Sequence, residues 1–235
     1  RSILDYIADD VVLTKNGLSA LALMRHQGIE ASQIKHVAIS CVVPPLHPVL
    51  MSLAKTFFHV DAFYVEPGVK TGVKVLIDNP SELGADRLVN AVAGIEKYGA
   101  PLIVVDFGTA TTFDVVNAKR EYLGGLICPG LKISADALFQ RASRLPRVEI
   151  AEPERLVGRN TVQAMQSGIF YGYVGMVDGI LDRLLEECPE ARVAATGGLA
   201  RVIAPHTKHI KHIAPDLTLD GLRILWFRNQ GGSRK

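Results

Sequence analysis

The stretch Val104-Val105-Asp106-Phe107-Gly108-Thr109-Ala110-Thr111-Thr112-Phe113-Asp114 constrains this chain more than any other. An apolar β-branched run ends in a carboxylate, then a glycine, then three threonines in four positions. The pattern predicts a buried strand from Leu102 to Asp106. Strands Thr111 to Asn117 and Glu121 to Ile127, flanking a turn at Ala118-Lys119-Arg120, are expected to form a hairpin. The chemistry fits a polyphosphate. Gly108 lets backbone N–H groups approach phosphate oxygens, and Thr109 and Thr111 add hydroxyl donors. Asp106, an anion beside those phosphates, is tolerable there as a cation ligand. The plainer alternative is a threonine-rich strand on a pleated surface, which leaves Asp106 without a reason. Gly125 and Gly130 have the spacing of a P-loop, but Leu131-Lys132-Ile133 follows them rather than Lys-Ser or Lys-Thr.

A strand, a hairpin and helices alternate along the remaining chain, which is the signature of an α/β protein with a mixed sheet. Leu18, Leu21 and Met24 with Gly28 as a stop read as an amphipathic helix. His36 to Val43 reads as a buried strand ended by Pro44-Pro45, Val49 to Phe58 as a helix, and Phe63 to Val65 as a strand. Pro67 to Pro80 reads as a loop. A helix opens at Ser81-Glu82 and runs to about Tyr98, closed by Gly99 and Pro101. Further helices are expected near 131–144, 161–187 and 218–228, with a strand from Val193 to Ala195. Ala100-Pro101 divides the chain into residues 1–100 and 101–235.

Of 235 residues, 48% are hydrophobic and 21% charged, enough apolar material for two cores. Lys plus Arg number 26 against 24 acidic residues, a net charge of +2 that offers no basic field for nucleic acid. No apolar run reaches the roughly 18 residues of a membrane helix. Cys41, Cys128 and Cys188 are scattered and off metal-ligand spacing, so they read as reduced thiols of a cytoplasmic chain.

Asp106-Phe107-Gly108-Thr109 leading into a hairpin resembles the nucleotide hairpin of the acetate kinase, sugar kinase, heat-shock ATPase and actin superfamily. Gly84-Ala85-Asp86-Arg87, Gly124-Gly125-Leu126-Ile127-Cys128-Pro129-Gly130, Gly158-Arg159-Asn160-Thr161 and Thr196-Gly197-Gly198 accompany it in order. Together they resemble the type III pantothenate kinases, from the first helix to Asn229. The resemblance implies two ribonuclease H-like domains with mixed sheets, a nucleotide cleft between them, and a homodimer. It implies ATP with Mg2+, a monovalent cation (K+ or NH4+), and phosphoryl transfer to the primary hydroxyl of pantothenate, the first step of coenzyme A synthesis.

By the same resemblance, Gly84, Ala85, Asp86 and Arg87 bind pantothenate, with Asp86 as proton acceptor. Arg87 offers a planar fork to the substrate carboxylate. Asp106 matches the monovalent cation ligand, Thr109 the ATP contact, and Thr161 a substrate contact at the start of the long helix. Read alone, Asp86-Arg87 is also an ordinary solvated first-turn pair, and Thr161 an ordinary N-cap. Two departures stand out. Ile77 occupies the place of a substrate-contacting tyrosine, and residues 1–30 lack the family's opening Asp-x-Gly-Asn-Thr phosphate motif. Either this motif lies upstream of Arg1 or the chain is a degenerate homologue, and residues 1–235 alone are expected to fold poorly and not turn over.

His206, His209 and His212 recur every third residue, but with prolines on both sides they read as a surface loop rather than a metal site. Gly168, Gly172, Gly175 and Gly179 mark one face of the long helix for close packing, within the subunit or across a dimer. Cys128 reads as a small packing residue. The runner-up from another class is a non-catalytic homologue serving as a transcriptional accessory factor. The retained acids and threonines, and the lack of a basic helix, argue for the kinase.

Overall fold

The computed structural model describes residues 21–142 and 145–230. These fall into two compact units. One gathers the described residues of Arg1–Gly72 with Ser81–Val92 and Thr218–Lys235; the other is Val73–Pro80 with Ala93–Leu217.

In the first unit residues 21–26 are helical, while Leu18 lies outside the described residues. Strand β1 (Val37–Ile39) pairs in parallel with β2 (Ala62–Tyr64), and helix α1 (His47–Phe58) connects them. The strand expected over His36 to Val43 is thus three residues long and half-buried. Val42 and Val43 are 55% and 46% exposed, because the turn at Pro44–Leu46 takes the chain out of the ladder. Two later segments complete this unit: the start of helix α2 (Ala85–Tyr98) and helix α6 (Leu217–Asn229). They meet where Gly221 lies against Val89, so closely that a Cβ at 221 would come within 2.6 Å of the valine Cγ1. Nearby, Thr218 donates to Asn90 Oδ1 at 2.7 Å. At the other end of α6, Asn229 accepts from the Lys70 N–H at 2.9 Å, and Arg228 donates to the Thr71 carbonyl.

The second unit is built on a six-stranded mixed sheet in the order β3-β6-β5-β4-β7-β8. The strands are β3 (Lys74–Val75), β4 (Leu102–Phe107), β5 (Ala110–Val116), β6 (Glu121–Pro129), β7 (Arg192–Thr196) and β8 (His212–Ile213). The hairpin β5–β6 forms as the sequence predicts, with Arg120 in the left-handed region (φ 62°) at its turn. The segment Pro67 to Pro80 is not all loop, because Lys74 and Val75 pair with Glu121 and Tyr122 at the sheet edge.

Strand β4 is apolar on both faces because both are covered. Ile103, Val105 and Phe107, with Phe113 and Val115 of β5, pack against Phe170, Val174, Val177 and Leu181 of helix α4 (Thr161–Glu187). On the opposite face α2 approaches at Gly94, where a Cβ would lie 2.5 Å from Leu102 and 3.1 Å from Val104. Helix α3 (Leu131–Arg141) follows β6, and the single turn α5 (Ala200–Ile203) follows β7. Helix α3 stops short of 144 with the Ala142 N–H on the Leu138 carbonyl. Among the described residues no helix is long and apolar enough to cross a membrane.

Candidate functional site

Asp86 and Arg87 sit in the first turn of α2, which opens with the Leu88 N–H on the Gly84 carbonyl at 3.1 Å. The Asp86 side chain folds back on its own turn and accepts the Arg87 N–H through Oδ1 at 2.8 Å. A Cβ on residue 84 would lie 2.6 Å from that oxygen, so glycine there is what lets the carboxylate take this pose. Both side chains are half-buried, within reach of a ligand rather than sunk in the core.

Asp106 lies near the end of β4, opposite Thr112 on β5 and Thr196 on β7. Its carboxylate hangs over the turn that follows β7. A Cβ at Gly197 would lie 2.5 Å from Asp106 Oδ1 and 2.7 Å from the Phe107 backbone, and the residue adopts φ 90°. Only glycine satisfies both demands. The tight turn between β4 and β5 closes with the Gly108 N–H on the Ala110 carbonyl at 3.1 Å, leaving Thr109 exposed at its tip. Gly130, at the entry to α3, is pressed against this turn from the far side. The C-terminal ends of β4, β6 and β7 therefore bring Asp106, Gly108, Thr109, Gly130 and Gly197 together. That is where ligands bind in open α/β sheets.

Period-two alternation separates the threonines. Thr112 shares the Asp106 face, where its hydroxyl donates to Asp114 Oδ2 at 3.1 Å. Thr111 turns to the α4 face, is 1% exposed, and bonds the Tyr173 hydroxyl. It cannot donate to a phosphate at the turn, so of the two threonines read as phosphate donors only Thr109 is placed for it. Asp114, 0% exposed, also accepts from the Tyr122 hydroxyl at 2.6 Å. The sequence reading passed over Asp114 and Tyr122, although Asp106, Thr112 and Asp114 fall on one face by alternation.

Thr161 is the first residue of α4, but it is not the cap. Asn160 caps the helix by accepting the Gln163 N–H at 2.9 Å, and the Gln163 side chain returns to the Arg159 N–H at 3.0 Å. The Thr161 hydroxyl is thereby left to solvent. Gly158 allows the loop to lie on this turn, where a Cβ would come 2.7 Å from Ala164 Cα. Thr161 lines a groove of about 720 Å³ with Leu138, Asn160, Met165, Gly168 and Ile169, a lining that includes neither Asp106 nor Thr109.

The three histidines diverge. His206 approaches Glu152 at 3.6 Å, His209 meets Asp182 at 2.5 Å, and His212 stacks on Tyr98 at 4.7 Å. No cluster of three or more metal-ligating side chains occurs among the described residues. Burial pushes the Cys128 thiol upward, in keeping with a packing residue. Among the described residues nothing packs on the glycine face of α4, since a Cβ at Gly168, Gly172 or Gly175 would meet nothing within 4 Å.

Residues 11–183 match the family model of type III pantothenate kinase. A type III pantothenate kinase of Koribacter versatilis is 57% identical over 88% of this chain and 76% of its own length. Those of Pelobacter propionicus and Geobacter sulfurreducens are 54% and 56% identical, each over 91% of this chain and 85% and 84% of theirs. A crystal structure of a conserved Baf family protein from Campylobacter jejuni, described as a candidate transcriptional activator, superposes with a TM-score of 0.54. It is 20% identical and covers 85% of each chain, a likeness of fold.

Proposed function

Because the chain belongs to the type III pantothenate kinase family, we propose that it transfers the γ-phosphoryl group of ATP to the primary hydroxyl of pantothenate, the opening step of coenzyme A synthesis. The observation that carries the assignment of roles is the meeting of Asp106, Thr109, Gly130 and Gly197 at one end of the second unit's sheet. Thr109 and the Gly108 turn cradle the ATP phosphates, and the glycine-lined turn after β7 approaches the nucleoside. Gly84, Ala85 and Arg87 hold pantothenate, with the Arg87 fork on its carboxylate. Asp86 takes the proton of the attacking hydroxyl; the new P–O bond forms at the γ-phosphorus, and the bond to the bridging oxygen breaks to release ADP. Thr161, its hydroxyl spared from capping, serves as a further substrate contact.

The residues fit the cations this family uses. Asp106 is a half-buried carboxylate oxygen donor, which suits K+ as a ligand and NH4+ as a hydrogen-bond acceptor. Mg2+ needs one or two carboxylates besides phosphate oxygens and water rather than an all-protein cage. When bound, such cations neutralise charge on the phosphates.

A homodimer is part of this reading. Its support is exposed Leu156 (66%) and Val157 (76%), together with the glycine face of α4, open among the described residues. Exposed apolar surface of this kind suits an interface. The reduced cysteines Cys41, Cys128 and Cys188 suit the cytoplasm. We read the two compact units as the two ribonuclease H-like halves.

The test is an assay of the full-length protein with ATP, Mg2+, K+ and pantothenate, following ADP release and the mass of the phosphorylated product. ADP release that does not require pantothenate, or no product of the right mass, overturns the reading.

A further inference from the structure

Tyr173 lies in the middle of α4, 6% exposed, and its ring faces Phe107 with centroids 6.5 Å apart. Its hydroxyl is in hydrogen-bond contact with Thr111 on β5 and with the Pro129 carbonyl at the end of β6, the latter at 3.2 Å. A phenol has one proton and two acceptor sites. With the proton on the Pro129 carbonyl, the Thr111 hydroxyl donates to the phenol oxygen. Burial raises the hydroxyl pKa, which keeps that proton in place.

The two partners frame the phosphate turn. Ala110 pairs with Pro129 and Thr111 with Cys128 in the ladder, so Thr111 and Pro129 flank the positions where Thr109 and Gly130 press together. We propose that Tyr173 is a positioning residue for ATP: its hydroxyl clamps β5 to the end of β6 so that Thr109 and the Gly108 turn keep their phosphate-binding pose. The role rests on the reading of Thr109 as an ATP contact. No substrate touches Tyr173, which acts from beneath the turn.

The experiment compares steady-state kinetics and melting temperature of Tyr173→Phe, Thr111→Val, the double variant and Thr109→Ala in the full-length protein. Tyr173→Phe keeps the ring in the core and deletes only the clamp. It is expected to raise the KM for ATP about three- to ten-fold, with the KM for pantothenate changed by less than about two-fold. The double variant is expected to be no worse than Tyr173→Phe, because both changes remove the same contact. A Tyr173→Phe protein that melts lower but keeps its KM for ATP overturns the proposal, leaving Tyr173 a core residue only. So does an equal rise in both KM values. If Thr109→Ala leaves the KM for ATP unchanged, the reading of the turn itself falls and the proposal with it. If Thr109→Ala raises it and Tyr173→Phe does not, the positioning role alone is lost.

Discussion

The backbone of Gly130 lies directly on the backbone of Thr109, with so little room that a methyl group on residue 130 would sit 2.7 Å from the Thr109 carbonyl carbon and 2.8 Å from the Gly108 oxygen. Neither neighbour is a flexible side chain, so the turn itself would have to move. Gly130→Ala is therefore expected to lower the melting temperature, at a cost of about 1–3 kcal/mol, and to raise the KM for ATP. The comparison for stability is Gly168→Ala, where the same methyl meets no described residue within 4 Å and helix propensity improves; because Gly168 lines the Thr161 groove, this variant is read by melting temperature alone. Equal melting temperatures of the two variants would show that the contact with Thr109 has no consequence for stability.

Asp86→Asn retains an oxygen to accept the Arg87 N–H, so the first turn of α2 stays intact. It cannot take a proton. The expected result is a fall in kcat of about 10²-fold or more, with a smaller change in the KM for pantothenate and little change in melting temperature. Near-normal turnover would move the base elsewhere, with Asp106 next to be examined.

Activity is expected to require K+ or NH4+ and to fall in Na+ alone, and Asp106→Ala to remove most activity and the ion preference together. Thermal shifts with a non-hydrolysable ATP analogue give a second readout: K+ should add stabilisation to the wild-type complex over Na+, and none to the variant. A wild-type rate indifferent to all three ions sinks the assignment of Asp106.

Much of this was legible in the sequence because the second unit is locally encoded. Leu102 to Val105 is apolar on both faces, Arg120 closes a tight turn, and α4 spans the expected 161–187. What local patterns could not carry was partnership at a distance. Val42 and Val43 look like core, but the chain leaves the ladder before reaching them. Lys74 and Val75 look like loop, and become a strand only because Glu121 and Tyr122 offer an edge. Helix α6 follows the whole second unit in the chain, yet its contacts are with Val89, Asn90 and Lys70. At the site, residue identities pointed to the chemistry, while the facing of each side chain decided the roles. Thr111 and Thr112 are adjacent and chemically identical, and the alternation of β5 sends one to Tyr173 and the other to the Asp106 face.

Acid should weaken the contact between α4 and the histidine loop. The Asp182 carboxyl is held below its ordinary value of 3.8, first by the hydrogen bond from His209 and then by the charges of Lys208, His209 and Arg183. A carboxyl lowered in the folded state adds stability above its unfolded value, and that stability is lost as pH falls through the folded value. The melting-temperature difference between wild type and Asp182→Asn should therefore hold above about pH 4 and shrink below it. A difference that stays constant from about pH 6 down to about pH 2 contradicts this account.

The glycine face of α4 separates folding from assembly. At Gly172 an added Cβ meets nothing within 4 Å among the described residues, so Gly172→Leu starts into open space and improves helix propensity by several tenths of a kcal/mol. If a second copy packs against this face, the same leucine must hold the two helices apart, because close approach of backbones depends on the missing side chain. The expected outcome is a variant that elutes as a monomer in sedimentation or light-scattering experiments where the wild type is a dimer, with circular dichroism unchanged. Gly179→Leu is the comparison within the same helix, since its Cβ lies 3.6 Å from Arg183 of its own subunit. A Gly172→Leu protein that remains dimeric at micromolar concentration would place the contact between copies elsewhere, with exposed Leu156 and Val157 the residues to substitute next.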